Sequence, residues 1–156
     1  MKVIFLDFDG VLNHTEWLKE NFETYHLHPL NPEAVAVLNS IMRQVEGVKV
    51  VISSTWRLDG VAHCRGHLAH AGFAFVDKVI GRTGSNSFGR GEEILEWIRA
   101  HQAAALHMDE LVTHYVILDD DVFDMGAARP HVVRIDRETG LTLDHVPGIL
   151  RHLQEE

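Results

Sequence analysis

Short apolar runs punctuate this chain at intervals filled by amphipathic, helix-like stretches. Val3-Ile4-Phe5-Leu6 is the first run, continuous and ended by a carboxylate and a glycine, which predicts a buried strand. Val48-Lys49-Val50-Val51-Ile52 is the second, β-branched at four of its five positions. A short third strand is predicted at Phe73-Ala74-Phe75-Val76, resumed at Val79-Ile80. Tyr115-Val116-Ile117-Leu118 and His131-Val132-Val133-Arg134-Ile135 give the fourth and fifth.

Helix patterns fill the gaps. Asn31-Pro32-Glu33 is a helix start, with Asn as N-cap and Pro at the first position, and Val35, Leu38, Ile41, Met42 and Val45 form its apolar stripe. Further helices are predicted over residues 59–71, closed by Gly72, over 92–106 with Ile94, Leu95, Trp97 and Ile98 as the buried stripe, and over 146–153. A one-turn helix near residues 16–22 is the only regular element expected between residues 13 and 30. Strands alternating with helices in this way predict one domain, residues 1–156. Its architecture is α/β: a doubly wound, Rossmann-like, mostly parallel five-stranded sheet with helices on both faces.

The polar positions that end the strands change the picture from scaffold to site. In such a sheet, ligands bind beyond the C-terminal strand ends. Asp7 and Asp9 follow the first strand, Ser53 and Ser54 the second, and Asp119-Asp120-Asp121 the fourth. Carboxylates from two strand ends are hard oxygen donors suited to Mg²⁺. Hydroxyls and backbone N–H groups after the second strand can hold phosphate oxygens. A basic residue near the next helix can offset phosphoryl charge. One carboxylate of the first pair can act as nucleophile and the other as proton donor and acceptor.

Composition narrows the classes. With 46% hydrophobic and 24% charged residues the chain is of ordinary globular type. No apolar run reaches the roughly 18 residues of a membrane span, and the N-terminus lacks signal-peptide features, so no membrane partner and a cytoplasmic location are expected. Cys64 is the single cysteine, which excludes an internal disulfide and a cysteine-based zinc site. The net charge of −9 argues against a broad non-specific nucleic-acid surface but not against a phosphorylated substrate, because six of the acidic residues sit in the two strand-end clusters (Asp124 included). The twelve histidines are scattered; only His63 and His67, with His70 three further on, share helical spacing, and they read as surface or packing residues.

Four separated motifs now stand in order: Asp7-Phe8-Asp9-Gly10-Val11-Leu12, Ser53-Ser54, Gly89-Arg90-Gly91-Glu92, and Asp119-Asp120 followed by Asp124. Together they resemble the haloacid dehalogenase (HAD) superfamily of phosphatases over essentially the whole chain. The Ser-Ser-Thr-Trp-Arg and Leu-Asp-Asp-Asp stretches are also similar to the HAD domains of Swiss army knife RNA-repair proteins. The resemblance implies a Mg²⁺-dependent phosphomonoesterase working through an aspartyl-phosphate. It implies Asp7 as nucleophile and metal ligand, Asp9 as general acid/base with its carbonyl on the metal, and Ser53, with Ser54 beside it, on the phosphoryl group. Arg90 is the implied charge-stabilising residue, with Arg82 as rival. Asp120 is the implied metal ligand, with Asp119 or Asp124 direct or one step removed. Trp56 and Arg57 are expected either to contact substrate, by stacking and by gripping a second phosphate, or to pack under the neighbouring helix. Neither residues 13–30 nor the loop 81–91 has room for a cap domain, which implies an open site and a large substrate such as a polynucleotide end or a phosphoprotein. The alternatives are a small-molecule (nucleotide or sugar) phosphatase lidded by a partner subunit, and a non-enzymatic phospho-acceptor or phosphate-binding module.

Overall fold

The computed structural model describes residues 1–155. Five strands form one sheet: β1 (Lys2–Leu6), β2 (Val48–Ile52), β3 (Val79–Arg82), β4 (His114–Asp119) and β5 (Val132–Arg134). Their order is β3-β2-β1-β4-β5 and every pairing is parallel. Five α-helices connect or follow them: α1 (Thr15–Glu20), α2 (Pro32–Gln44), α3 (Val61–His70), α4 (Arg90–Ala104) and α5 (Val146–Gln154).

Side-chain alternation in the central strands sorts the core into two layers. Ile4, Leu6, Val50, Ile52, Val116 and Leu118 face α2, α3 and α5, whose Leu38, Leu68 and Ile149 are wholly buried. Val3, Phe5, Val51 and Ile117 face the other way, onto Ile94 of α4 with Met125 and Ala128. Burial on both faces is why β1, β2 and β4 read as continuous apolar runs rather than alternating ones.

The parallel register puts the ends of β1, β2 and β4 at one edge. Leu6 lies opposite both Ile52 and Leu118. The ladder continues one step past the strands: Asp7 N–H donates to Leu118 O at 3.1 Å, and Ser53 N–H to Leu6 O at 3.0 Å. Backbone hydrogen bonding therefore fixes where both residues leave the sheet.

The third strand needs correcting. Residues 73–76 pair with no strand, Val76 opening a 3-10 turn, and β3 begins only at Val79. Phe73 is apolar because it is buried in the core. The segment is bound instead by the Asn39 amide, which donates to Gly72 O and accepts from Ala74 N–H, both at 2.9 Å. The helix expected from residue 59 starts at Val61, because a 3-10 turn, Thr55–Asp59, comes first. The helix expected from residue 92 starts two residues earlier, at Arg90. Its N-terminus is capped from outside: the Asp124 carboxylate accepts the Arg90 N–H at 3.1 Å. The neighbouring Gly91 lies so close to Met125 that a Cβ there would meet Met125 O at 1.8 Å. No domain is inserted between β1 and β2 or between β3 and α4. The first interval holds α1 and α2, and residues 83–89 alone span the second. No helix among the described residues is long and apolar enough to cross a membrane.

Candidate active site

Asp7, Asp119 and Asp120 converge at the strand edge, with one carboxylate oxygen of each within 4.8 Å of the others. Asp7 and Asp119 are buried and Asp120 is half-buried. Three negative groups this close are mutually repulsive, and burial strips them of water. Burial, then the Asp119 charge, push the Asp7 carboxyl up to about 8, and Arg90 offsets this only in part. Burial also raises Asp119, against the pull of Arg90.

Arg90 reaches this cluster from the first turn of α4. Its Nη1 lies 2.6 Å from Asp119 Oδ2 and 3.4 Å from Asp7 Oδ2. Burial works against its charge, but Asp7 and Asp119 outweigh that and hold it firmly protonated. Arg82 turns elsewhere and donates to the Arg57 carbonyl.

Asp9 stands apart from the cluster and is exposed. It is held on both oxygens: Asn13 Nδ2 donates to Oδ1 at 2.9 Å, and Trp56 Nε1 donates to Oδ2 at 3.1 Å. Gly10 follows with φ +82°, and a Cβ there would meet Asp120 Oδ2 at 2.6 Å. The glycine thus lets the β1 turn pass against the β4 carboxylates.

The β2 side is built differently. Ser53 is wholly buried, and its hydroxyl is among the few buried polar atoms with no hydrogen-bond partner. Ser54 is also buried, and its hydroxyl accepts the Trp56 N–H at 3.2 Å as an N-cap. Thr55, which the sequence did not single out, lines the cavity together with Asp7, Asp9, Arg90, Asp119 and Asp120. Arg57 does not face substrate space. It is buried, donates to the carbonyls of Ser53 and Ser54 at 3.2 and 3.0 Å, and pairs with Glu93 Oε2 at 3.0 Å. That corrects the expectation of a second-phosphate grip: Arg57 is a brace beneath the loop.

Of the remaining acids, Asp121 is exposed, and its carboxylate accepts the Phe123 N–H at 2.8 Å. Asp124 is spent on the α4 cap. Asp120 Oδ2 is bound by Arg137 through Nε at 3.0 Å and Nη2 at 2.8 Å. Arg137 and Asn13 went unremarked in the sequence, because nothing local marks a residue whose partner is 17 positions away or whose role is to orient a neighbour.

Residues 3–146 match the family described as the HAD domain in Swiss Army Knife RNA repair proteins. The chain belongs to that family. No curated protein and no solved structure matches it. Membership places the acidic strand-end cluster of this HAD domain in a superfamily of generally phosphatase-like hydrolases that use a divalent metal.

Proposed function

We propose that this HAD domain is a Mg²⁺-dependent phosphomonoesterase that removes phosphate from a polynucleotide end through an aspartyl-phosphate on Asp7. The observation that carries the reading is the division of labour at the end of β1. One aspartate is buried beside an arginine and two further carboxylates, while the other is exposed and oriented by two hydrogen bonds.

The donor set fits a hard divalent cation. It is all carboxylate oxygen, and Asp7, raised by burial and by the Asp119 charge, is only partly offset by Arg90. Asp7 and Asp120 would hold the ion, with Asp119 and the Asp9 carbonyl beside them. Bound there, Mg²⁺ supplies neutralisation of charge on the phosphoryl oxygens.

The protein groups divide the remaining work. An Asp7 oxygen attacks phosphorus, and the ester P–O bond breaks toward the leaving oxygen. Asp9 delivers a proton to that oxygen. In the second half Asp9 takes a proton from water, the water oxygen bonds to phosphorus, and the P–O bond to Asp7 breaks, releasing phosphate. Arg90 balances charge on Asp7 and the phosphoryl group. The buried Ser53 hydroxyl, which has no partner within the protein, and Thr55, which lines the cavity, would serve the phosphoryl oxygens.

The polynucleotide end is supported by the family's description and by the uncapped edge, which leaves room for a large leaving group. A panel of 5′- and 3′-phosphorylated oligonucleotides, free nucleotides, sugar phosphates and phosphopeptides tests it. The expected result is Asp7-dependent release of phosphate that is fastest from an oligonucleotide end and stops when Mg²⁺ is chelated. Faster hydrolysis of sugar phosphates or phosphopeptides would overturn the substrate assignment.

A further inference from the structure

Beside the carboxylate cavity lies a second, open cavity of about 480 Å³, within the ~300–1,000 Å³ range of small-molecule sites. The two share Asp9 and Thr55. Its walls come from three segments. Tyr25 and His26, in the segment after α1, lie with ring centres 4.1 Å apart. Trp56, from the β2 loop, and His63 and His67, from α3, line the same cavity. His67 meets Trp56 edge-on at 5.5 Å and His63 edge-on at 4.5 Å. His63 and His67 are one helical turn apart, so their rings share a face of α3.

We infer that this cavity seats the base of the terminal nucleoside in the leaving group, between Tyr25 and the His63–His67 face. The inference rests on the phosphatase reading above and specifies its substrate. The reason is positional. A general acid must reach the leaving oxygen, so the leaving group lies on the side of Asp9. On that side the protein offers π faces at close range, and every base has a π face with which to stack on them. Trp56 Nε1 donates to Asp9, so the ring that orients the acid also lines the cavity.

The other neighbouring cavities are less suited. One joins the carboxylate cluster through Asp120, Asp121 and Arg137, and is lined mostly by charged groups. Phe88 and Phe123 are exposed, but they border a cavity that Asp9 does not reach.

The test compares a phosphorylated DNA dinucleotide with the same compound lacking its terminal base, using the full chain with Mg²⁺. The expected kcat/KM ratio is at least about tenfold in favour of the base-bearing compound, the scale of one base–aromatic stack. The double substitution His63→Ala and His67→Ala should bring that ratio toward one, and so should Tyr25→Ala, made on a different element. His67→Phe, which keeps a π face, should preserve it. A wild-type ratio near one, or a ratio that survives both the α3 double substitution and Tyr25→Ala, overturns the inference while leaving the phosphatase reading intact. Turnover of neither compound overturns the phosphatase reading, and the inference with it.

Discussion

The two walls of the site are held in place by opposite means. On the β1–β4 wall, Asp7, Asp119 and Asp120 sit where sheet register puts them, and their charges oppose one another. On the β2 wall, little is charged at the surface. Ser53 and Ser54 are buried and their carbonyls are tied down by Arg57, which is anchored in turn on Glu93 of α4. The first wall is rigid backbone carrying an electrostatic load for chemistry. The second is a loop whose shape depends on one buried ion pair. Substitutions on the first wall should therefore cost activity and spare the fold, and those that break the ion pair behind the second should cost stability first and substrate binding with it.

The largest effect is expected at Asp7. Asp7→Asn should lower kcat for any phosphate ester at least about a thousandfold, the order seen when a nucleophile is removed. Because it deletes a repelled buried charge, the chelated variant should unfold no earlier than wild type at pH 8; a clear loss of thermal stability would break the contrast between the walls. Asp9→Asn comes next, at about 10²–10⁴ in kcat for esters of every kind, because hydrolysis of the phosphoenzyme needs it as base; with an aryl phosphate, whose leaving group needs no proton, only the first half-reaction is spared. Trp56→Phe, which removes one of the two bonds that orient Asp9, should cost roughly tenfold on the same esters.

Arg57→Ala should behave in the opposite sense. It leaves Glu93 buried and unpaired, and breaking such a pair costs about 3–5 kcal/mol of stability. Arg57→Met combined with Glu93→Leu should recover most of that stability in denaturant titration. It should not recover KM, because the carbonyls of Ser53 and Ser54 lose their donor.

The last effect is a pH slope in stability. The folded Asp7 carboxyl is raised above its unfolded value, so its contribution to stability is fully present below the ordinary carboxylate range and is lost as pH rises toward about 8. Asp119 is raised as well and acts in the same direction. The melting temperature of the chelated protein should fall over that interval. Mg²⁺ should flatten the slope, with a stabilisation that grows as pH rises. A chelated protein that gains stability from pH 5 to 8 would argue against a charge-strained cluster.

The two walls also differ in how far they could be read from the sequence. Asp7, Asp119 and Asp120 end apolar runs, and parallel register alone brings them together. Four of the five strands and all four long helices were readable for the same reason: burial writes itself into local pattern. The brace was not. Arg57 follows Ser-Ser-Thr-Trp, and only the fold shows that Glu93, 36 positions away, draws it inward rather than toward solvent. The α4 start at Arg90 was hidden for a similar cause, since its cap is the carboxylate of Asp124 rather than a neighbour. Phe73–Phe75 misled as a strand because burial and sheet pairing leave the same apolar signature.

The proposed chemistry turns on Asp7 carrying the phosphoryl group. Rapid acid quench of the Asp9→Asn variant during turnover of p-nitrophenyl phosphate with Mg²⁺, followed by peptide mass spectrometry, tests it most directly. This substrate needs no proton to leave, so the first half-reaction proceeds while hydrolysis is slowed. A phosphate is expected on the peptide that contains Asp7, absent after Asp7→Asn. Phosphate release with no phosphorylated peptide, or with the label on another residue, would contradict it.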